Sequence, residues 1–431
     1  MKRHLLLLVF LSFIVHQADA TTIHVARSGA VKHVTEGIKM ASDGDTVIVS
    51  AGHYQEETID INKSILLLAN GEVILDGQGK IEIITVTKGH VTIDGFHIIN
   101  SGNQSMRDIA GIKVLACRYV TIRNNTVDNC NFGIYLSNTV GCKVQRNTMH
   151  GNSLRDKTIG NGIHVWKGDS VLIENNHSTF QRDGIYFEFV TNSMIRNNLS
   201  ENNIRYGLHF MFSHSNTYAS NRFTGNGAGV AVMYSHNVTM YRNSFDHNWG
   251  SSAYGILLKD ISDSKITENE FTYNSAGIYM EGSNRIEMKQ NLFKANGWAL
   301  RVQASCQEVN ISGNNFIGNT FDVSTNGETQ LNYFKSNYWD KYEGYDLNRD
   351  GVGDIPFRPV SLFSIIVEQL PPGLLLIHSF MVFLLDKAEK IIPSLTPADL
   401  IDESPQVKPL NLHPRVLSVS MYKNDLITNL I

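Results

Sequence analysis

The chain has 431 residues, 42% of them hydrophobic and 18% charged, with 34 glycines, 9 prolines and 4 cysteines. That apolar share excludes wholesale disorder, and 37 basic against 41 acidic residues leaves no surplus for a nucleic-acid backbone. Four cysteines with no Cys-x-x-Cys spacing exclude a disulfide-dense scaffold and a structural zinc site, and their spacing leaves any pairing among Cys117, Cys130, Cys142 and Cys306 open.

Met1-Lys2-Arg3-His4 is a short basic start before the apolar run 5–15, and Ala18-Asp19-Ala20 places small residues where a signal peptidase reads. Residues 1–20 are expected to be a secretory signal, because that run is too short to span a bilayer, and the mature chain is expected in an exported compartment. Residues 31–40 read as one amphipathic helix, suited to cap the apolar end of whatever follows. The chain then breaks into short strands at 46–49, 59–61, 65–68, 73–75 and 91–93.

From Gly111 onward a repeat takes over. Gly-apolar-x-apolar begins at Gly111, Gly133, Gly162, Gly184, Gly207, Gly229, Gly255 and Gly277, with degenerate copies at Ala299 and Asp322. The intervals are 22, 29, 22, 23, 22, 26, 22, 22 and 23 residues. A second motif keeps step and ends at Asn125, Asn147, Asn176, Asn198, Asn221, Asn243, Asn269, Asn291, Asn314 and Asn337. Aromatics follow several of these two residues on, at Phe223, Phe245, Phe271, Phe293, Phe316 and Trp339. Three short period-2 strands per 22 residues predict an all-β fold, a right-handed parallel β-helix of pectin-lyase-like type occupying residues 21–360. Asparagine suits such a solenoid, since it tolerates left-handed backbone at bends and its amide can bond along a stack. Two coils carry extra length, at 153–159 and 249–252, and such bulges tend to mark the working face.

Strand alternation sorts the side chains. One outward column reads Tyr135, His164, Tyr186, His209, Ala231, Leu257, Tyr279, Arg301, and its neighbour reads Ser137, Trp166, Glu188, Met211, Met233, Lys259, Glu281, Gln303. Methionines beside histidines on one outward patch suggest a soft-metal site, because thioether sulfur favours Cu(I) and imidazole suits copper in either state. His209, Met211 and Met233 are the leading candidate ligands, with His164 and Glu188 beside them; the alternative is an apolar docking surface. His214, His236 and His247 read as turn or surface histidines. A polysaccharide lyase or epimerase would want clustered carboxylates with a nearby base. Glu188 and Glu281 stand four coils apart instead.

Towards the C-terminus, Asp346, Asn348 and Asp350 followed by Gly351 resemble the start of a calcium loop, although the twelfth position is Phe357 and not Glu. A tight polar turn is the competing reading. Residues 361–410 are expected to be an apolar helical segment. The run 374–385 would reach only about 18 Å as a helix, short of a bilayer core, so it is expected to dock. Residues 411–431 are expected to be a disordered tail.

Several segments carry a family likeness. Residues 160–166 (Gly-Asn-Gly-Ile-His-Val-Trp), 182–189 (Arg-Asp-Gly-Ile-Tyr-Phe-Glu-Phe) and 205–212 (Arg-Tyr-Gly-Leu-His-Phe-Met-Phe) resemble the NosD family, as do 227–234, 254–260 and 337–359. The resemblance covers about residues 23–410. It implies a non-enzymatic periplasmic protein that binds copper transiently in maturing the copper–sulfide cluster of nitrous oxide reductase. Its implied partners are an ABC-type permease and ATPase at the inner membrane, a copper chaperone and the apo-reductase. It further implies that residues 361–400 dock on the permease at the membrane surface. A metal-free adaptor of the same complex is the alternative, with a polysaccharide-active enzyme behind it. No family motif names the ligands, so His209, Met211 and Met233 rest on the column argument alone.

Overall fold

A computed structural model of the chain describes residues 20–104, 107–152, 158–327, 331–392 and 400–412. The expected signal (apart from Ala20), most of the long loop at 153–159 and the tail beyond 412 lie outside them. The chain winds as a right-handed parallel β-solenoid of about 13 turns. Among the described residues twelve strands, from Ile59–Ile61 to Phe321–Ser324, stack in order as one parallel sheet, here the first face. The other 25 strands form a continuous network around the remaining faces. Its continuity comes from two long early strands, Thr46–Tyr54 and Leu66–Asp76, which run side by side across a bulge.

The inside of the solenoid explains the repeat. The asparagines ending the second motif form one buried ladder: each Oδ1 accepts both the backbone N–H and an Nδ2–H of the preceding asparagine, at 2.9–3.0 Å from Asn125 to Asn337. Each amide therefore does the work of a missing backbone partner at a corner, where an unpaired buried group would be costly. The ladder asparagines are not the left-handed residues, contrary to the sequence expectation. Left-handed backbone falls one residue earlier, at Asn124, Asn175 and Asn197 with φ near +55° and at Arg146 with +53°. Beside the ladder, Phe223, Phe245, Phe271, Phe293, Phe316 and Trp339 stack with centroids 4.1–5.4 Å apart, all buried.

Helix α1 (Val34–Met40) caps the N-terminal end, shorter than the 31–40 expected. Val34 and Ile38 are buried against the first coil, and the Glu56 carboxylate accepts the N–H groups of Val34 and Thr35. At the far end, α2 (Leu362–Gln369) lies against the last strand of the first face, packing Phe363 and Val367 on Phe321 and on Val382 of α3 (Phe380–Ile391). Glu368 of α2 pairs with Arg301 at 2.7 Å, pinning the helix to the outward column.

The expected helical segment 361–410 needs correction at its end. Residues 400–412 run back along the solenoid instead of continuing a helix. Asp402 is fully buried and its Oδ2 takes the place of the next ladder amide, accepting from Asn337 N, Asn337 Nδ2 and Trp339 Nε1. Leu410 exchanges two hydrogen bonds with the side chain of Asn315, and Asn411 and Leu412 share a cavity with Arg242, Glu268 and Leu292. Ten amides donating in one direction leave the last rung's donors without an acceptor, and a carboxylate supplies one.

Candidate functional site

The two outward columns come together on the first face in the register the alternation gave. Tyr135, His164, Tyr186, His209 and Ala231 are successive cross-strand partners. So are Trp166, Glu188, Met211, Met233 and Lys259. Successive coils lie about 4.8 Å apart and positions i and i+2 about 6.7 Å, so His209, Met211 and Met233 share one neighbourhood.

Outward direction did not bring exposure. His209 is only 4% accessible and His164 only 9%, while Met211 and Met233 are half-buried. The histidines are covered by rings on their own face. Tyr135 stacks on His164 at 4.7 Å; Tyr186 lies against His164 and His209 at 4.7 and 4.9 Å; Tyr206, three residues before His209, covers it at 4.7 Å. Alternation fixes which way a side chain points, and lateral neighbours decide whether water reaches it.

The two histidines differ in chemistry. Arg182 Nε donates to Asn161 Oδ1 at 3.2 Å, which turns the Asn161 amide nitrogen towards His164 Nδ1 at 3.0 Å. His164 Nδ1 is thereby an acceptor, the proton of the neutral ring sits on Nε2, and no free lone pair remains for a metal. Burial and the nearby Arg182 charge hold its pKa down at about 3. His209, by contrast, has no hydrogen-bond partner at either ring nitrogen. Asp183, fully buried, has Oδ2 equally unpartnered and 3.6 Å from His209 Nδ1. Its Oδ1 accepts the Tyr206 N–H at 3.3 Å, with Arg205 Nε 3.7 Å away. The Tyr186 hydroxyl lies 3.3 Å from Glu188 Oε2 and 3.9 Å from Met211 Sδ, so both groups compete for its one proton. Burial and the Glu188 charge raise the Tyr186 pKa.

Sequence reasoning missed Asp183 and Asn161, and a signal for them exists. Both immediately precede a motif glycine, where the other coils carry Ala110, Phe132, Tyr206, Ala228, Tyr254 and Ala276. A carboxylate in a column of alanines and aromatics is the departure to look for. One corner further round, Phe189, Phe212 and Tyr234 stack in the open at 5.3 and 5.1 Å, all in left-handed backbone. His214 and His236 stack at 3.9 Å beyond them, and His214 Nδ1 accepts the His236 N–H.

In the segment expected as a calcium loop, the side-chain oxygens are hydrogen-bonded within the loop. Both Asp346 oxygens, Asn348 Oδ1 and Asp350 Oδ1 accept backbone N–H groups of residues 350–352, and Asn348 Nδ2 donates to Asp350 Oδ2. These hydrogen bonds make the segment a series of polar turns. Among the described residues there is no group of three or more His, Cys, Asp or Glu side chains placed to hold a metal. Thioether sulfur stands outside that set of ligand types. The four cysteines are buried free thiols; burial pushes Cys117 up to about 11 and Cys130 up to about 12.

Past the methionines the first face continues through Lys259 and Glu281 to Arg301 and the C-terminal helices. These leave Leu370, Leu375, Leu376, Phe380, Met381 and Phe383 exposed. No helix among the described residues is long and apolar enough to cross a membrane.

Fold and face together define a right-handed parallel β-helix whose coils differ in what one outward face carries. A family model for the right-handed beta helix region matches residues 30–178. Among solved structures, the surface adhesin PfbA of Streptococcus pneumoniae superposes with a TM-score of 0.58 at 13% identity, covering 74% of this chain and 93% of that one. The catalytic unit of a GH87 alpha-1,3-glucanase from Streptomyces thermodiastaticus gives 0.56 at 14%, covering 75% and 69%. At such identities these neighbours speak for the fold alone. The family described as "Periplasmic copper-binding protein (NosD)" matches residues 145–344. Two proteins named "Probable ABC transporter binding protein NosD" are similar along most of their length. The one from Pseudomonas aeruginosa is 28% identical over 88% of this chain and 92% of its own; that from Stutzerimonas stutzeri is 26% identical over 83% and 86%. The chain is thus similar to NosD proteins along most of its length.

Proposed function

We propose that this protein is a non-enzymatic periplasmic accessory factor that carries copper transiently on its first face. In this reading it presents the metal, or the apo-reductase, to an ABC-type transporter during maturation of the nitrous oxide reductase cluster. The observation that carries the reading is His209, buried with both ring nitrogens unpartnered beside the thioethers of Met211 and Met233. A buried imidazole without partners is costly in a structural role. Imidazole with two thioethers suits a soft monovalent ion, and few protein-derived charges make it a site for loading and unloading. Glu188, turned towards the Tyr186 hydroxyl, is a neighbour of the site, and His164 lacks the free lone pair a ligand needs. The family description and the relatives' names support copper, the periplasm and a transporter association. The exposed apolar residues of α3 and of the segment between it and α2, which is itself pinned to the same face, are the surface for a membrane partner.

The test is a Cu(I) titration of the protein without residues 1–20, under reducing conditions, against a chromophoric chelator. The wild type should bind about one copper and the His209→Ala/Met211→Ala/Met233→Ala variant should lose it. Equal binding by both would place copper elsewhere. No binding by either would leave a metal-free adaptor with a docking face.

A further inference from the structure

Asp183 is a buried carboxylate that faces the candidate ligand set; the Tyr206 N–H and Arg205 meet its Oδ1, and neither they nor the ladder account for its Oδ2. Its Oδ2 has no hydrogen-bond partner and stands 3.6 Å from His209 Nδ1, which has none either. Both groups are shut off from water, Asp183 completely and His209 to within 4%. Two unpaired polar groups facing each other in a dry pocket make one arrangement far better than the other. With the imidazole proton on Nδ1 the contact is a donor facing a carboxylate. With it on Nε2, a lone pair faces a carboxylate oxygen across low dielectric, which is repulsive. We propose that Asp183 is a positioning residue that sets the tautomer of His209, holding the proton at Nδ1 so that the Nε2 lone pair stays free for a soft metal ion.

The same face contains the opposite case, two coils away in the same column. At His164 the residue before the motif glycine is Asn161, and its amide, turned by Arg182, donates to Nδ1. That ring keeps its proton on Nε2 and is closed to metals. Asn161 lies in the coil of its own histidine and Asp183 one coil before His209, each next to a motif glycine, and acid against amide there sorts two buried histidines into a ligand and a non-ligand. A carboxylate behind the non-ligating nitrogen also makes an imidazole a stronger donor. The part concerning metal rests on the copper reading above; the tautomer assignment stands without it.

The experiment uses the 15N-labelled protein without residues 1–20, metal-free, at about pH 8, where exposed histidines are neutral. Long-range 1H–15N correlation spectra report which ring nitrogen carries the proton, with His209→Gln and His164→Gln assigning the signals. The expected result is Nδ1–H for His209 and Nε2–H for His164. Asp183→Asn should convert His209 to the Nε2–H pattern, and Asn161→Asp should convert His164 in the other direction. Nε2–H at His209 in the wild type, or an unchanged His209 pattern in Asp183→Asn, overturns the proposal. In a Cu(I) competition, Asp183→Asn should weaken binding about 10- to 100-fold at unchanged stoichiometry. Wild-type affinity in a variant whose tautomer has switched overturns the link to the metal. A wild type that takes up no Cu(I) yet shows Nδ1–H overturns the copper reading and leaves the Asp183–His209 assignment confirmed.

Discussion

Two columns run the length of this solenoid, one inside and one on its first face, and they obey different rules. The inner column is asparagine at every rung from Asn125 to Asn337, buried throughout, with each amide hydrogen-bonded to the next. The outer column changes residue at every coil and contains, at His209, a buried imidazole with no hydrogen-bond partner at either ring nitrogen. Repetition with full pairing is what a stack of coils needs to hold together. Departure from repetition, with polar groups left unpaired, has no structural benefit and marks where binding is to be sought.

The contrast can be broken in order of expected effect. Asn243→Leu removes the acceptor for both Asn221 donors and the amide that serves Tyr218 O and Asn269 Oδ1. Several buried groups lose partners at once, so urea unfolding should show a loss of about 4 kcal/mol. His164 gives the next largest signal, and it is pH-dependent. Its folded pKa, about 3, lies below the ordinary 6.5. Between those values the unfolded chain binds a proton that the folded one does not, so stability is lost as pH falls through that window. The slope is up to about 1.4 kcal/mol per pH unit. His164→Phe should flatten the wild-type dependence between about pH 6.5 and pH 4.5; parallel curves for the two proteins would contradict the burial argument.

The same leucine substitution made in the outer column should act differently. His209→Leu discards two unpartnered nitrogens, so its stability should stay within about 1 kcal/mol of wild type, on either side. A loss as large as that of Asn243→Leu would mean His209 is a structural rung after all. The smallest effect is expected at Phe212, a bulky residue at φ +50° where other coils place Asn138 or Asp260. Phe212→Asn should raise stability by about 0.5 kcal/mol, since asparagine accepts left-handed backbone more readily.

The sequence made the inner column fully legible and the outer one only in part. A residue spaced every 22 or 23 positions identifies its own coil and partner, so the register of Asn198 with Asn221, or of Met211 with Met233, followed from counting. Whether His209 is covered depends on Tyr186 and Tyr206, whose rings lean over it from the neighbouring coil and from the start of its own strand, and alternation contains no such information. The role of Asp402 was hidden for another reason. It lies beyond two helices and outside any repeat, so nothing local distinguished it from a surface acid. Its placement among the donors of Ser336, Asn337 and Trp339 is a property of the closed end alone.

That closure has a mechanical side. The chain leaves the last coil after Trp339, passes through α2 and α3, and returns to the same coil at Asp402, with Leu410 held one rung earlier by Asn315. The helical excursion is therefore a handle riveted at both ends. A tug on it is shared between the Glu368–Arg301 pair and the buried Asp402 bonds, which would be loaded together. A free C-terminal coil could be peeled away one strand at a time. This one resists as a unit, so movement of a partner gripping the helices would tilt the entire rod instead of unravelling its tip.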